Sequence, residues 1–174
     1  MIFPKALSGR RWHGDLAPLL LSASLLSVMH PAGLAAGHGT ALADYPAELR
    51  PLVQALQKAG YQVMLAKPPV PGAYGATNAR LRQVWLAPIT IELGIARQAL
   101  IHEAVHAAQG CPNGKLRPIG WSLAMLRPVD REVAGVLYRN YPHGKHDVER
   151  EAFAMQGDPR ALTLIKAALQ ERCR

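Results

Sequence analysis

The five residues His102-Glu103-Ala104-Val105-His106 have the types and spacing to do chemistry. Histidines four apart stand one above the other on the same face of a helix, so two imidazole nitrogens can meet at one metal ion. Glu103, one step round the helix, is placed to hold a water beside that ion and take its proton. Nitrogen ligands in a four-coordinate site with one open position suit zinc. A zinc ion polarises a carbonyl and brings the pKa of water toward neutrality, which is what amide hydrolysis requires.

Two histidines leave such a site one protein ligand short. The downstream candidates are His143, His146, Asp147, Glu149 and Glu151. Glu149 shares a helical face with Ala152 and Phe153, and a small residue there lets a second helix come close to the first. Glu151 with Ala154 follows the same local logic, and His146 would complete a three-histidine site. Spacing alone does not settle Glu149 against Glu151, and His146, a loop position without the helical context, comes after both. An acidic first turn complementing a helix dipole is the alternative account of these carboxylates, and for Glu151 it is the better one.

The elements that must position these groups are legible in the hydrophobic pattern. Residues 90–110 read as the helix carrying the histidine pair, with Thr90 as its cap and Glu92 complementing its positive end. Ile101, Ala104, Val105 and Ala108 make an apolar stripe, which implies a buried helix whose histidine face lines a cleft. Upstream, residues 45–59 have helical spacing and stop at Gly60, and Pro46 or Pro51 suits the first turn. Residues 61–66, 73–78 and 82–86 read as strands of a small sheet, and the Pro- and Gly-rich stretch 67–75 is a loop. Downstream, residues 121–126 suggest a short helix, a second opens at Pro128 or Asp130, and a third covers 148–156 with Asp147 as N-cap. A last helix spans 160–172.

His102-Glu103-Ala104-Val105-His106, followed by Glu149-Arg150-Glu151-Ala152-Phe153-Ala154, resembles a short gluzincin-type zinc metallopeptidase. The resemblance implies an α+β zincin-like fold: a small antiparallel or mixed sheet, whose edge strand pairs with substrate, packed on the active-site helix, with a glutamate-bearing helix after it. It implies His102, His106 and Glu149 as ligands of Zn2+, Glu103 as general base, and a peptide or protein as substrate. Phe153 stands where the family usually has Asp or Asn, so the partner of the first histidine is not identified by the motif. No transition-state donor carries over either, which leaves Tyr138, Tyr141, His143 and His146 as the side chains to inspect. A non-catalytic zinc-containing binding module of the cell envelope is the competing expectation.

A chain of 174 residues has the length of one domain with a proper core. Half-apolar composition with 18% charged residues excludes a disordered chain. The net charge of +8 falls to +6 beyond residue 43, since Lys5, Arg10, Arg11 and Asp15 lie before it. The remaining basic residues are scattered without aromatic interleaving, which argues against nucleic acid as partner. Residues 1–43 read as a signal peptide: Lys5, Arg10 and Arg11 form a positive start and residues 16–29 an apolar stretch. Ala41-Leu42-Ala43 is a cleavage site before Asp44, with an earlier cut near Ala35 or Ala36 as alternative. Residues 44–174 are then an exported domain, periplasmic or secreted, with no integral membrane segment of its own. Its two cysteines, Cys111 and Cys173, are expected to form a disulfide tying the last helix to the back of the active-site helix.

Overall fold

The computed structural model describes residues 40–174, so the expected signal peptide lies almost wholly outside the described residues. The first helix, α1 (Arg50–Lys58), carries Pro51 in its first turn, where a missing N–H costs nothing. It starts later than its apolar spacing predicts, because residues 46–49 form a turn; Tyr45 and Leu49 are nevertheless buried with Leu52, Val53 and Leu56. Gly60, at φ +82°, ends the helix in a conformation that favours glycine.

Three strands follow: β1 (Gln62–Leu65), β2 (Gly75–Asn78) and β3 (Gln83–Leu86). Their order is β1-β3-β2, with β1 parallel and β2 antiparallel to β3. The sheet is therefore mixed. The long loop after β1 carries the chain past the central position, so β2 lies at one edge and the hairpin returns β3 to the middle. Ahead of β1, Thr40 extends the other edge: its N–H donates to the Val63 carbonyl and its hydroxyl accepts from Leu65 N–H.

The histidine pair lies on α3 (Ala96–Gly110), separated from a short α2 (Ile89–Glu92) by residues 93–95. Thr90 does not cap α3. Its hydroxyl donates to the Ala87 carbonyl within the turn that opens α2, and Ile95 stands at the α3 N-cap without a side-chain bond. The expected single run breaks at Gly94, whose φ is +67°. Helix α3 is buried over 13 of its 15 residues, on every side and not only along the predicted stripe. It is the central rod of the domain, against β2, β3, α1 and two later helices.

After α3 residues 111–114 form a turn, and the chain then runs without regular secondary structure to residue 126. The helix expected over 121–126 is absent: Gly120 has φ +93°, and the N–H groups of Ile119, Gly120 and Trp121 are all bonded to the Glu151 carboxylate. Helices α4 (Arg127–Asn140), α5 (His146–Met155) and α6 (Ala161–Arg172) complete the fold. Asp147 is not the α5 N-cap but sits in its first turn, because the 3-10 turn at His143–Lys145 leads straight into the helix at His146. Cys111, just past α3, is bonded to Cys173, just past α6. Among the described residues no helix is long and apolar enough to cross a membrane.

Candidate metal centre

Helices α3 and α5 bring three donor groups together. His102 Nε2 and His106 Nε2 are 3.1 Å apart, and Glu149 Oε2 lies 3.4 Å from the first and 3.3 Å from the second. His102, His106 and Glu149 are each at most 9% exposed. Ala152, one turn after Glu149, is fully buried and allows the close approach of α5 that its size predicts. Glu149 Oε2 is buried with the two imidazole nitrogens as its polar neighbours, and the contacts are long, an arrangement that costs stability unless a positive charge stands nearby. These three side chains form a group that could hold a metal ion.

The electrostatics of the cluster are strongly coupled. Burial alone would lower the His106 pKa, but the bond to Glu149 and its charge, with help from Glu103, raise it to about 9. Burial alone would raise Glu149, but hydrogen bonds from His102 and His106 bring it down to about 2. A proton and a metal cation thus compete for the same lone pairs.

Each imidazole is also held from behind. His106 Nδ1 meets Gln109 Oε1 at 2.8 Å, and His102 Nδ1 meets the Gln156 amide at 2.9 Å. Gln156 supplies the partner that the motif left unidentified, while Phe153 sets its ring against His102, centroids 4.8 Å apart. The sequence reading missed both glutamines. Gln109 could have been found, since it lies three residues after His106 on one helix face; Gln156 is reached only through the packing of α5 on α3.

Glu103 faces the edge strand. Thr77 Oγ1 lies 2.9 Å from both the Glu103 carbonyl oxygen and its Oε2. Gly75 leaves the room this needs: a Cβ there would come within 2.6 Å of Glu103 Cγ and 2.9 Å of its Oε1. The carboxylate is thereby fixed between α3 and β2.

The remaining candidates lie elsewhere. Glu151 is buried but bonds the residue 119–121 backbone and Gln109. His146 Nε2 bonds the Tyr141 carbonyl at 3.0 Å. Asp147 and His143 are exposed. Tyr138 is 77% exposed, with its ring near His143. Tyr141 differs from these: burial, and then the charges of Glu149 and Glu103, push its phenol pKa up, so its side chain sits in the field of both carboxylates. Comparison with family models, curated proteins and solved structures finds no match for this chain.

Proposed function

We propose that this chain is an exported zinc metallopeptidase in which His102, His106 and Glu149 hold the zinc and Glu103 is the general base. The observation that carries this reading is the donor triangle, with edges of 3.1, 3.3 and 3.4 Å. Tetrahedral zinc, with bonds of about 2.0–2.1 Å, separates its ligand atoms by roughly 3.3 Å. Such an ion would neutralise the buried Glu149 oxygen, whose contacts with the two imidazoles are long, and the two glutamine amides are the kind of outer partners that orient metal-binding imidazoles. Ligation through Nε2 leaves each ring proton on Nδ1, so Gln156 would present its amide oxygen there, reached by a half-turn of that group.

When bound, the zinc would polarise a peptide carbonyl and make an adjacent water more acidic. Glu103, fixed by Thr77 and the gap at Gly75, accepts a proton from the attacking water. As the C–N bond breaks, Glu103 returns that proton to the departing amine nitrogen. Tyr141, half-buried and in the field of Glu149 and Glu103, is the candidate donor toward the oxygen that would gain negative charge. A binding module that keeps zinc for folding is the second reading, favoured by how deeply the three ligands are buried; such a module has no use for a carboxylate fixed at Glu103.

Glu103→Gln separates the two. It keeps the size of the side chain and the bond from Thr77 but removes the base. Zinc content and folding should match wild type, while cleavage of an unfolded protein substrate should fall by roughly 10²–10⁴-fold. Equal rates in variant and wild type would reject Glu103 as base. A zinc-loaded wild type that cleaves no member of a peptide library would leave the binding module.

A further inference from the structure

The buried pair Gln109 and Glu151 forms a continuous hydrogen-bonded chain from the backbone of residues 119–121 to His106, and every donor and acceptor in it can be assigned. Glu151 Oε2 accepts from Ile119 N–H and Gln109 Nε2, both at 2.8 Å; its Oε1 accepts from Gly120 N–H at 2.7 Å and Trp121 N–H at 2.9 Å. Four donors converge on two oxygens, so only a carboxylate satisfies the position: a glutamine would turn an NH2 group against two N–H donors. Gln109 Nε2 has a second acceptor in the Val148 carbonyl at 2.9 Å. Both its protons are therefore committed, and its amide cannot be reversed. Gln109 Oε1 must then face His106 Nδ1, 2.8 Å away, and can only accept.

We infer that Gln109 and Glu151 are positioning residues that hold the proton on His106 Nδ1, so that Nε2 is the atom directed at the metal. Through them, metal affinity depends on the seating of the irregular segment 119–121. The inference rests on the metal-site reading for its effect on affinity, but the direction of the chain rests on the hydrogen bonds alone. Gln109 is fully buried and Glu151 is 7% exposed, so water does not readily replace either link. Neither residue touches the proposed metal or substrate.

Two measurements on the disulfide-bonded chain test this: solvent exchange of the His106 Nδ1 proton by NMR, with and without zinc, and zinc affinity by competition with a chromophoric chelator. In wild type the Nδ1 proton should be observable and slowly exchanging. Glu151→Gln, which does not contact His106, should accelerate that exchange and weaken zinc binding by roughly 10–100-fold, the usual effect of losing an outer partner. Gln109→Leu should do the same and serves if Glu151→Gln does not fold. Absence of a protected Nδ1 proton in wild type would overturn the inference without any variant. So would weaker zinc binding with Nδ1 exchange unchanged, which is what general loosening of the fold would give. If wild type takes up no zinc, the metal reading fails by itself, and the exchange measurement still decides whether the chain to His106 exists.

Discussion

At the scale of single residues, the chemistry is concentrated in a few groups whose environments are set by neighbours. His102, Glu103 and His106 were legible from their spacing alone, because a helix puts them in register regardless of the rest of the chain. Glu149 was legible less directly: a carboxylate followed three residues later by alanine says that a helix can approach, not what it approaches. Glu151 shows what such reasoning leaves out, since three of its four N–H partners come from a distant irregular segment with no sequence mark of its own. The coupling of Glu149 and His106 has a consequence for pH. In the metal-free domain, the contribution of Glu149 to stability is fully present above its ordinary value of 4.5 and is lost as pH falls through about 2. That of His106 is fully present below 6.5 and is lost as pH rises through about 9. The cluster therefore supports the metal-free fold best between 4.5 and 6.5. Zinc needs the deprotonated imidazole, so its stabilising effect at fixed free zinc should grow as pH rises from 6.5 toward 9. Thermal melts with and without zinc across this range measure it; a zinc-induced shift that stays flat or shrinks would contradict the assignment of His106 as a ligand.

At the scale of elements, helices with strong apolar spacing and the three strands were found close to where the pattern put them. The misses have local causes. Residues 121–126 carry enough apolar side chains for a helix, but their segment enters through Gly120 and gives its N–H groups to Glu151 instead of to a helical turn. Thr90 and Asp147 have the right chemistry for caps, yet each falls inside a short turn that precedes or enters the helix. The pairing of β1 with β3 is long-range and has no signature in either strand. The β1 edge also bears on the start of the mature chain. A cut after Ala43 would remove both Thr40 hydrogen bonds to β1 and the Ala43 carbonyl that accepts from Arg50, at a cost of about 1 kcal/mol for each bond. The alternative cut near Ala35 or Ala36 keeps them. If the chain is exported and cut as proposed, N-terminal sequencing should find a start upstream of Thr40, and a domain beginning at residue 44 should melt lower than one beginning at residue 37.

At the scale of the whole molecule, one buried helix is gripped from several sides, and a disulfide fastens its end to the last helix. The bridge closes a loop of 62 residues, for which chain entropy in the unfolded state gives roughly 4 kcal/mol. Reduction, or Cys173→Ser paired with Cys111→Ala, should lower the denaturant midpoint by a corresponding amount; an unchanged midpoint would mean that the core of α1, α3 and α6 holds without it. The same arrangement explains how a short chain can hold the groups of the candidate site in place. His102, Glu103 and His106 share the most enclosed element of the domain, and Glu149 arrives on a helix packed directly against it.

The most direct test of the account is the zinc content of the purified, disulfide-bonded domain, measured by elemental analysis beside Glu149→Ala and Glu151→Ala. One zinc per wild-type chain, held tightly, is expected, with near-complete loss in Glu149→Ala. Glu151→Ala should bind zinc more weakly but still fill at saturating metal. Full zinc content in Glu149→Ala, or no zinc in wild type, would contradict it.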